Sequence, residues 1–151
     1  MSRAIRPYAG TPEAGAKVKI GADGTPTSYI DIIAEDTLIN ILKNAPVLSY
    51  IISEEVGELK LGKGTKRSIN LTDELQRDDI DDEERPKFIF LVDPIDGTSN
   101  AIKEIPAYGI SIAVANVPKG RLATLDDVEL GFISNFGNGN FFEAEKGKGC
   151  W

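Results

Sequence analysis

Two pairs of acidic side chains stand where chemistry is done: Glu54 and Glu55 directly after one apolar run, Asp93 and Asp96 directly after another. Ligand crevices of α/β sheets open at such strand ends. Pro94 lies between the two aspartates, and its fixed φ stiffens the turn and lowers the entropy lost on holding it. Carboxylates held this close repel, so either one is protonated or a multivalent cation sits between them. A donor set made of oxygens alone suits Mg2+ or Mn2+. Gly97 lets the backbone approach a ligand closely, and a helical turn opening at Thr98 would aim the Gly97 and Thr98 N–H groups at a phosphate. A bare D-x-x-D-G string also serves as an ordinary turn and cap, so the five residues alone do not decide between these readings.

The elements that must position these groups are legible as periodicities. Ile30, Ile33, Ala34, Leu38, Ile41 and Leu42 recur at helical spacing, which predicts an amphipathic helix over about 27–44. Thr27 or Ser28 caps it, Asp31 lies at its positive end, and Asn44-Ala45-Pro46 stops it. Strands are predicted over 47–53, 88–92, 108–116, 128–134 and 140–144, with Gly137-Asn138-Gly139 joining the last two as a hairpin. The 88–92 run is apolar throughout, as expected of a strand covered on both faces. A helical turn or two is predicted over 99–103. Residues 21–26 read as a loop; after Glu55 come Gly57, Gly62 and Gly64, some alternation near 68–71, and then the acidic run 78–84, which is expected to be a solvated loop rather than cation-binding. Strand spacing assigns Tyr108, Phe132, Phe141 and Phe142 to the core, and Lys103 and Arg121 to the surface. One helix followed by several strands predicts a mixed α/β layered sheet rather than a regular βαβ alternation.

Composition narrows the chemistry. The 151 residues include no histidine and one cysteine, Cys150, which excludes Ser-His-Asp and Cys-His catalysis, a histidine zinc site and an internal disulfide. With 41% apolar and 27% charged residues, the chain has the make-up of one globular domain. A net charge of -7 argues against a broad nucleic-acid or anionic-membrane surface. No N-terminal apolar run reads as a signal peptide, no span suits a bilayer, and the single thiol fits a reducing compartment, so a cytoplasmic protein is expected.

The longer string Asp93-Pro94-Ile95-Asp96-Gly97-Thr98-Ser99-Asn100, with Ser53-Glu54-Glu55 some forty residues earlier, resembles the signature of the inositol monophosphatase and fructose-1,6-bisphosphatase superfamily. Gly21-Ala22-Asp23-Gly24-Thr25-Pro26-Thr27, leading into Asp31 and Ala34-Glu35-Asp36, is similar to the mobile loop and following helix of its archaeal-type bifunctional members. The segment from Asn140 to Gly149 resembles the strand and turn after the family's central sheet. The resemblance covers about 21–151 and implies that family's sheet with packed helices.

It further implies Mg2+-dependent hydrolysis of a phosphomonoester, inositol monophosphate or fructose 1,6-bisphosphate or both, by a metal-activated water. Mn2+ is the other candidate metal. Glu54, Asp93 and the Ile95 carbonyl would hold one metal, Asp93 and Asp96 a second, and Gly97 and Thr98 would bind phosphate through their amides. Asp31 would pair with the Thr98 hydroxyl and help Glu54 orient and deprotonate the water; Asp23 and Glu55 are further candidate ligands. A nucleotide 3′-phosphatase of the same superfamily shares all these residues, and a non-catalytic, self-associating fragment is the reading from another class. Members of the superfamily are about twice this long and begin with a longer helix. Residues 1–151 are therefore expected to be one partial domain, the N-terminal metal- and phosphate-binding half, with the C-terminal half absent. Its expected partners are a small phosphorylated sugar or inositol and a second copy or the missing half, with neither nucleic acid nor membrane among them.

Overall fold

The computed structural model describes residues 1–81 and 83–151. A single-turn helix α1 (Ser2–Ile5) and a 3-10 turn (Pro12–Gly15) lead into the hairpin β1 (Lys17–Ile20) and β2 (Pro26–Ser28), which runs directly into helix α2 (Tyr29–Lys43). One large sheet follows, built from β3 (Ser49–Ser53), β4 (Gly57–Gly62), β5 (Thr65–Ser68), β6 (Phe88–Asp96), β7 (Gly109–Asn116), β8 (Val128–Asn135), β9 (Phe141–Glu145) and β10 (Gly149–Cys150). Short helices α3 (Leu71–Leu75) and α4 (Thr98–Ile102) lie in its connections. The spatial order is β10-β9-β8-β7-β6-β3-β4-β5, and every neighbouring pair is antiparallel except β3 and β6. That one parallel pair matters most for function. With Ser53 in register with Val92, Glu54 just past the end of β3 comes level with Asp93 of β6, which does not stop at Val92 as expected but stays paired with β7 through Asp93 and, after an irregularity, at Asp96.

Helix α2 forms where its spacing places it. Ser28 is its N-cap, and a reciprocal capping box joins Ser28 to Asp31, which satisfies donors that the first turn cannot pair internally. The buried arc runs through Ile30, Ala34, Leu38 and Ile39 but also through Asp31 and Glu35. This carries Ile41, expected inside, to the margin, where it is exposed. One face of the sheet packs Ile51, Leu61, Val92 and Ile110 against α2 and Ile5 of α1. The other face packs Tyr50, Ile89 and Ala115 against Leu71 and Leu75 of α3.

Several expectations change. The hairpin β1-β2, which flanks the 21–26 loop, and the strands β4 and β5 stand where the sequence predicts no strand. Strand β5 is exposed along its whole length, so it carries no alternation to detect, and β4 is bracketed by glycines. In β6, Ile89 and Val92 are buried while Phe90 and Leu91 are only half-buried, so the strand is not covered on both faces throughout. Tyr108 is buried as expected, but Phe141 and Phe142 are 56% and 48% exposed, because no layer of the described residues packs over the β8-β9 end. The acidic run is partly an ion-paired turn: the Arg77 guanidinium grips Asp79 at 2.8 Å, and the Asp81 carbonyl accepts the Glu84 and Arg85 amides. Its residue Asp82 lies outside the described residues. Arg121 is at the surface, paired with Asp127. Among the described residues, no helix is long and apolar enough to cross a membrane.

Candidate active site

A cleft of about 180 Å³ opens at the edge where β3 and β6 end, walled on its third side by the β2-α2 junction. Asp31, Glu54, Glu55, Asp93, Ile95 and Thr98 all line it. Three pieces of chain far apart in sequence therefore meet at one point. Thr98 opens α4, and its hydroxyl donates to Asp31 Oδ1 at 2.7 Å across a separation of 67 residues. The other Asp31 oxygen accepts the Ser28 amide at 3.0 Å, so the helix cap fixes the carboxylate that faces Thr98. The Ile95 carbonyl lies 3.2 Å from the same hydroxyl, while the Ile95 amide donates to Asp93 Oδ1 at 3.1 Å.

The loop between β1 and β2 docks on this edge. Its Ala22 and Asp23 amides donate to the Glu55 and Glu54 carbonyls at 3.1 and 3.3 Å. The buried Thr27 hydroxyl donates to Glu55 Oε2. A Cβ at Gly21 would lie 2.7 Å from that same oxygen, so a larger residue here would have to displace the Glu55 carboxylate. Glu55, a candidate metal ligand by sequence, is thus occupied in holding the loop, whereas Asp23 is brought beside Glu54. Asp96 and Gly97, next to the cleft residues in sequence, line a second cavity of about 220 Å³ with Tyr108 and Asn135, and the Asp96 charge still acts on Asp93.

The electrostatics show a site crowded with negative charge. Burial, then the charges of Asp93, Asp23 and Glu55, push the Glu54 carboxyl up. Burial and the neighbouring Asp96 do the same to Asp93. Asp23 is held below the usual carboxylate range by the Thr25 amide and hydroxyl, at 2.9 and 3.0 Å. Among the described residues no three acidic or thiol side chains already converge into a cage. The donor chemistry nevertheless fits a hard divalent cation: all-oxygen ligands whose charges disfavour one another until a cation is added.

The chain matches the Inositol monophosphatase family over residues 2–151. It belongs to that family. It is 42% identical, over its whole length, to the fructose-1,6-bisphosphatase/inositol-1-monophosphatase of Methanothermobacter thermautotrophicus, of which it covers 48%. It is 37% identical over its whole length to the bifunctional NADP phosphatase/NAD kinase of Methanocaldococcus jannaschii, covering 26% of that protein. In three dimensions it is similar to a crystal structure described as an inositol monophosphatase-fructose 1,6 bisphosphatase. The TM-score is 0.67 at 24% identity, over 99% of this chain and 46% of that one, a likeness of fold. The chain spans about half the length of the first of these curated relatives.

Set within the inositol monophosphatase family, the site also holds residues that periodicity does not single out. Lys17 and Ser28 line the cleft, and Thr27 anchors its loop. The polar Thr27-Ser28 pair directly before an amphipathic helix is the signal in the sequence, and it predicts a cap alone. Glu35, which helical periodicity does not mark, is 2% exposed, accepts the Ser53 hydroxyl at 2.9 Å and faces Lys19 at 3.6 Å. Burial pushes its carboxyl up.

A carboxyl that holds its proton more tightly in the folded state stabilises fully at low pH and loses that contribution as pH rises through its raised pKa. Glu35→Gln is therefore expected to match the wild type in acid and to gain on it as pH rises above the glutamate range. Urea unfolding midpoints of both proteins across pH 4 to 7 measure the difference. A wild type that gains on the variant with rising pH would show instead that Lys19 outweighs burial.

Proposed function

We propose that this chain forms the metal- and phosphate-binding part of a Mg2+-dependent phosphomonoesterase for a small sugar or inositol phosphate, such as inositol monophosphate or fructose 1,6-bisphosphate. The carrying observation is the 2.7 Å bond from Thr98 to Asp31, made in the cleft into which parallel β3 and β6 deliver Glu54 and Asp93. Glu54, Asp93 and the Ile95 carbonyl would hold one Mg2+, or Mn2+; Asp93 and Asp96 would hold a second, with Asp23 beside a weaker third. When bound, the cations supply charge neutralisation for phosphoryl oxygens and acidify water.

The remaining work falls to the chain. The Thr98 hydroxyl, its proton committed to Asp31, offers its lone pairs to an incoming water and fixes the direction of attack. Glu54 receives the proton that water sheds. The Gly97 and Thr98 amides, at a turn with no intrahelical acceptor for them, bind the phosphate. Phe141 and Phe142, exposed at the β9 end, support reading residues 1–151 as one partial domain that pairs with a further segment or a second copy. The exposed free thiol of Cys150 supports a cytoplasmic setting.

The test is phosphate release from inositol 1-phosphate and fructose 1,6-bisphosphate, with and without millimolar Mg2+. It uses the 151-residue chain and a chimera carrying the remaining half of the 42%-identical relative. Mg2+-dependent release by either protein supports the proposal, and none from either substrate removes it. A nucleotide phosphate is the second reading, favoured by the whole-length match to an NADP phosphatase, so NADP and a nucleoside 3′,5′-bisphosphate belong in the same panel. Thr98→Val, which removes only the hydroxyl, is expected to lower kcat by about 10²-fold with KM little changed. An unchanged kcat would take Thr98 out of water positioning.

A further inference from the structure

The cleft has a single cation among its lining residues. Lys17 stands there against Asp31, Glu54, Glu55 and Asp93. Its ammonium nevertheless binds none of them. It donates to the Ser28 hydroxyl at 2.8 Å and to the Pro26 carbonyl at 3.0 Å, both uncharged oxygens. Among the described residues it forms no ion pair, whereas Lys19, two positions along the same strand, faces the buried Glu35 carboxylate at 3.6 Å. The register of β1 against β2 shifts between these two lysines, and their side chains end on different partners.

An ammonium has three N–H donors, and two are committed here. One donor and the whole positive charge remain available inside a cleft otherwise lined with negative charge. The two bonds already made shorten the reach of a flexible four-carbon stem, so less side-chain entropy is lost when an anion arrives. Ser28 also caps the helix that aims Asp31 at Thr98, so the lysine is tied to the same frame as the reacting groups.

We infer that Lys17 binds the substrate's phosphate, donating its remaining N–H to a phosphoryl oxygen and supplying the fixed positive charge of the cleft. This rests on the phosphatase reading above. It adds a substrate-binding residue whose loss should weaken binding of the anion rather than slow the chemical step.

The test measures the binding of inorganic phosphate by 31P line broadening in millimolar Mg2+, on the 151-residue chain and its Lys17→Gln, Lys17→Met and Lys17→Arg variants. A charge-assisted hydrogen bond lost at this point is expected to raise the dissociation constant roughly tenfold or more in the Gln and Met variants, with Arg restoring most of it. KM for the ester that is turned over should rise by a similar factor, with kcat within about twofold of the wild type. Glutamine keeps a donor for the Ser28 and Pro26 oxygens but carries no charge. Wild-type affinity in Lys17→Gln would therefore assign the lysine to holding the hairpin and overturn the inference. Wild-type affinity in all three variants, with binding still lost in Asp93→Asn, would overturn it and leave the phosphatase reading standing. Absence of phosphate binding by the wild type itself would overturn both. Should Lys17→Met fail to fold, the contrast between Gln and Arg carries the result.

Discussion

On the proposed phosphatase reading, Asp93→Asn is expected to lower phosphate release by roughly 10³-fold or more while the chain stays folded. Asp93 is the one side chain assigned to both cations, so its charge is the hardest to replace. Its neutral counterpart can still accept the Ile95 amide, now 3.1 Å away, which keeps the turn in shape. The substitution also removes a charge that pushes up Glu54 and that Asp96 opposes. Without metal the variant is therefore expected to be at least as stable as the wild type. The distinguishing signature is a pair of melting curves. Mg2+ should raise the melting temperature of the wild type, because a ligand of the native state stabilises it, and should leave the variant nearly unmoved. A variant that melts well below the wild type without Mg2+ would mean that Asp93 is structural, and a variant with ordinary turnover would remove it from the site.

Gly97→Ala is expected to damage both the fold and the phosphate site. Gly97 caps α4 at φ +86°, a region that side chains disfavour by about 1–2 kcal/mol. An added Cβ would lie 2.7 Å from the Ala107 carbonyl and 3.3 Å from the Tyr108 Cα, both backbone atoms that cannot swing away. The two effects together are expected to cost about 2–4 kcal/mol, read as a fall in the urea midpoint. Movement of the 97–98 amides should also raise the dissociation constant for inorganic phosphate. Gly131→Ala, which sets its Cβ in open space, is the control and should change the midpoint much less. Equal effects at the two positions would mean that the turn yields freely and that its shape is not what holds the amides.

Much of the site was legible because the chemistry is concentrated in short strings. The stretch from Asp93 to Thr98 holds two acids, a stiffening proline, a glycine at positive φ and a helix-opening threonine within six residues, and such local constraints survive without knowledge of the fold. Helix α2 was equally readable, since its stripe spans fifteen residues and is bounded by a capping serine and an asparagine. Strands β7, β8 and β9 lie within a residue of their expected limits because they are runs with a period of two, whereas β6 starts where its apolar run predicts but continues to Asp96.

What escaped was polar or short. Strand β5 consists of Thr65, Lys66, Arg67 and Ser68, all exposed, and it exists because β4 offers it a hydrogen-bonding edge. Phe141 and Phe142 carry the pattern of core residues, but burial depends on what lies across the sheet, which the strand's own sequence does not encode. Glu35 sits within the buried arc of α2, where an apolar count passes over it, although it accepts the Ser53 hydroxyl at the end of β3.

The residue types, their clustering and the absence of histidine by themselves determined the kind of chemistry, an oxygen-lined site without an imidazole, and the layered α/β class. Only the tertiary structure decided which groups meet. It took a parallel pairing of β3 with β6 to bring Glu54 beside Asp93, and a contact across 67 residues to join Thr98 to Asp31. Only the β1-β2 hairpin put Lys17 in the same cleft, since strand pairing and its register are set by which apolar faces can be buried together. That is a property of the whole chain rather than of any window along it.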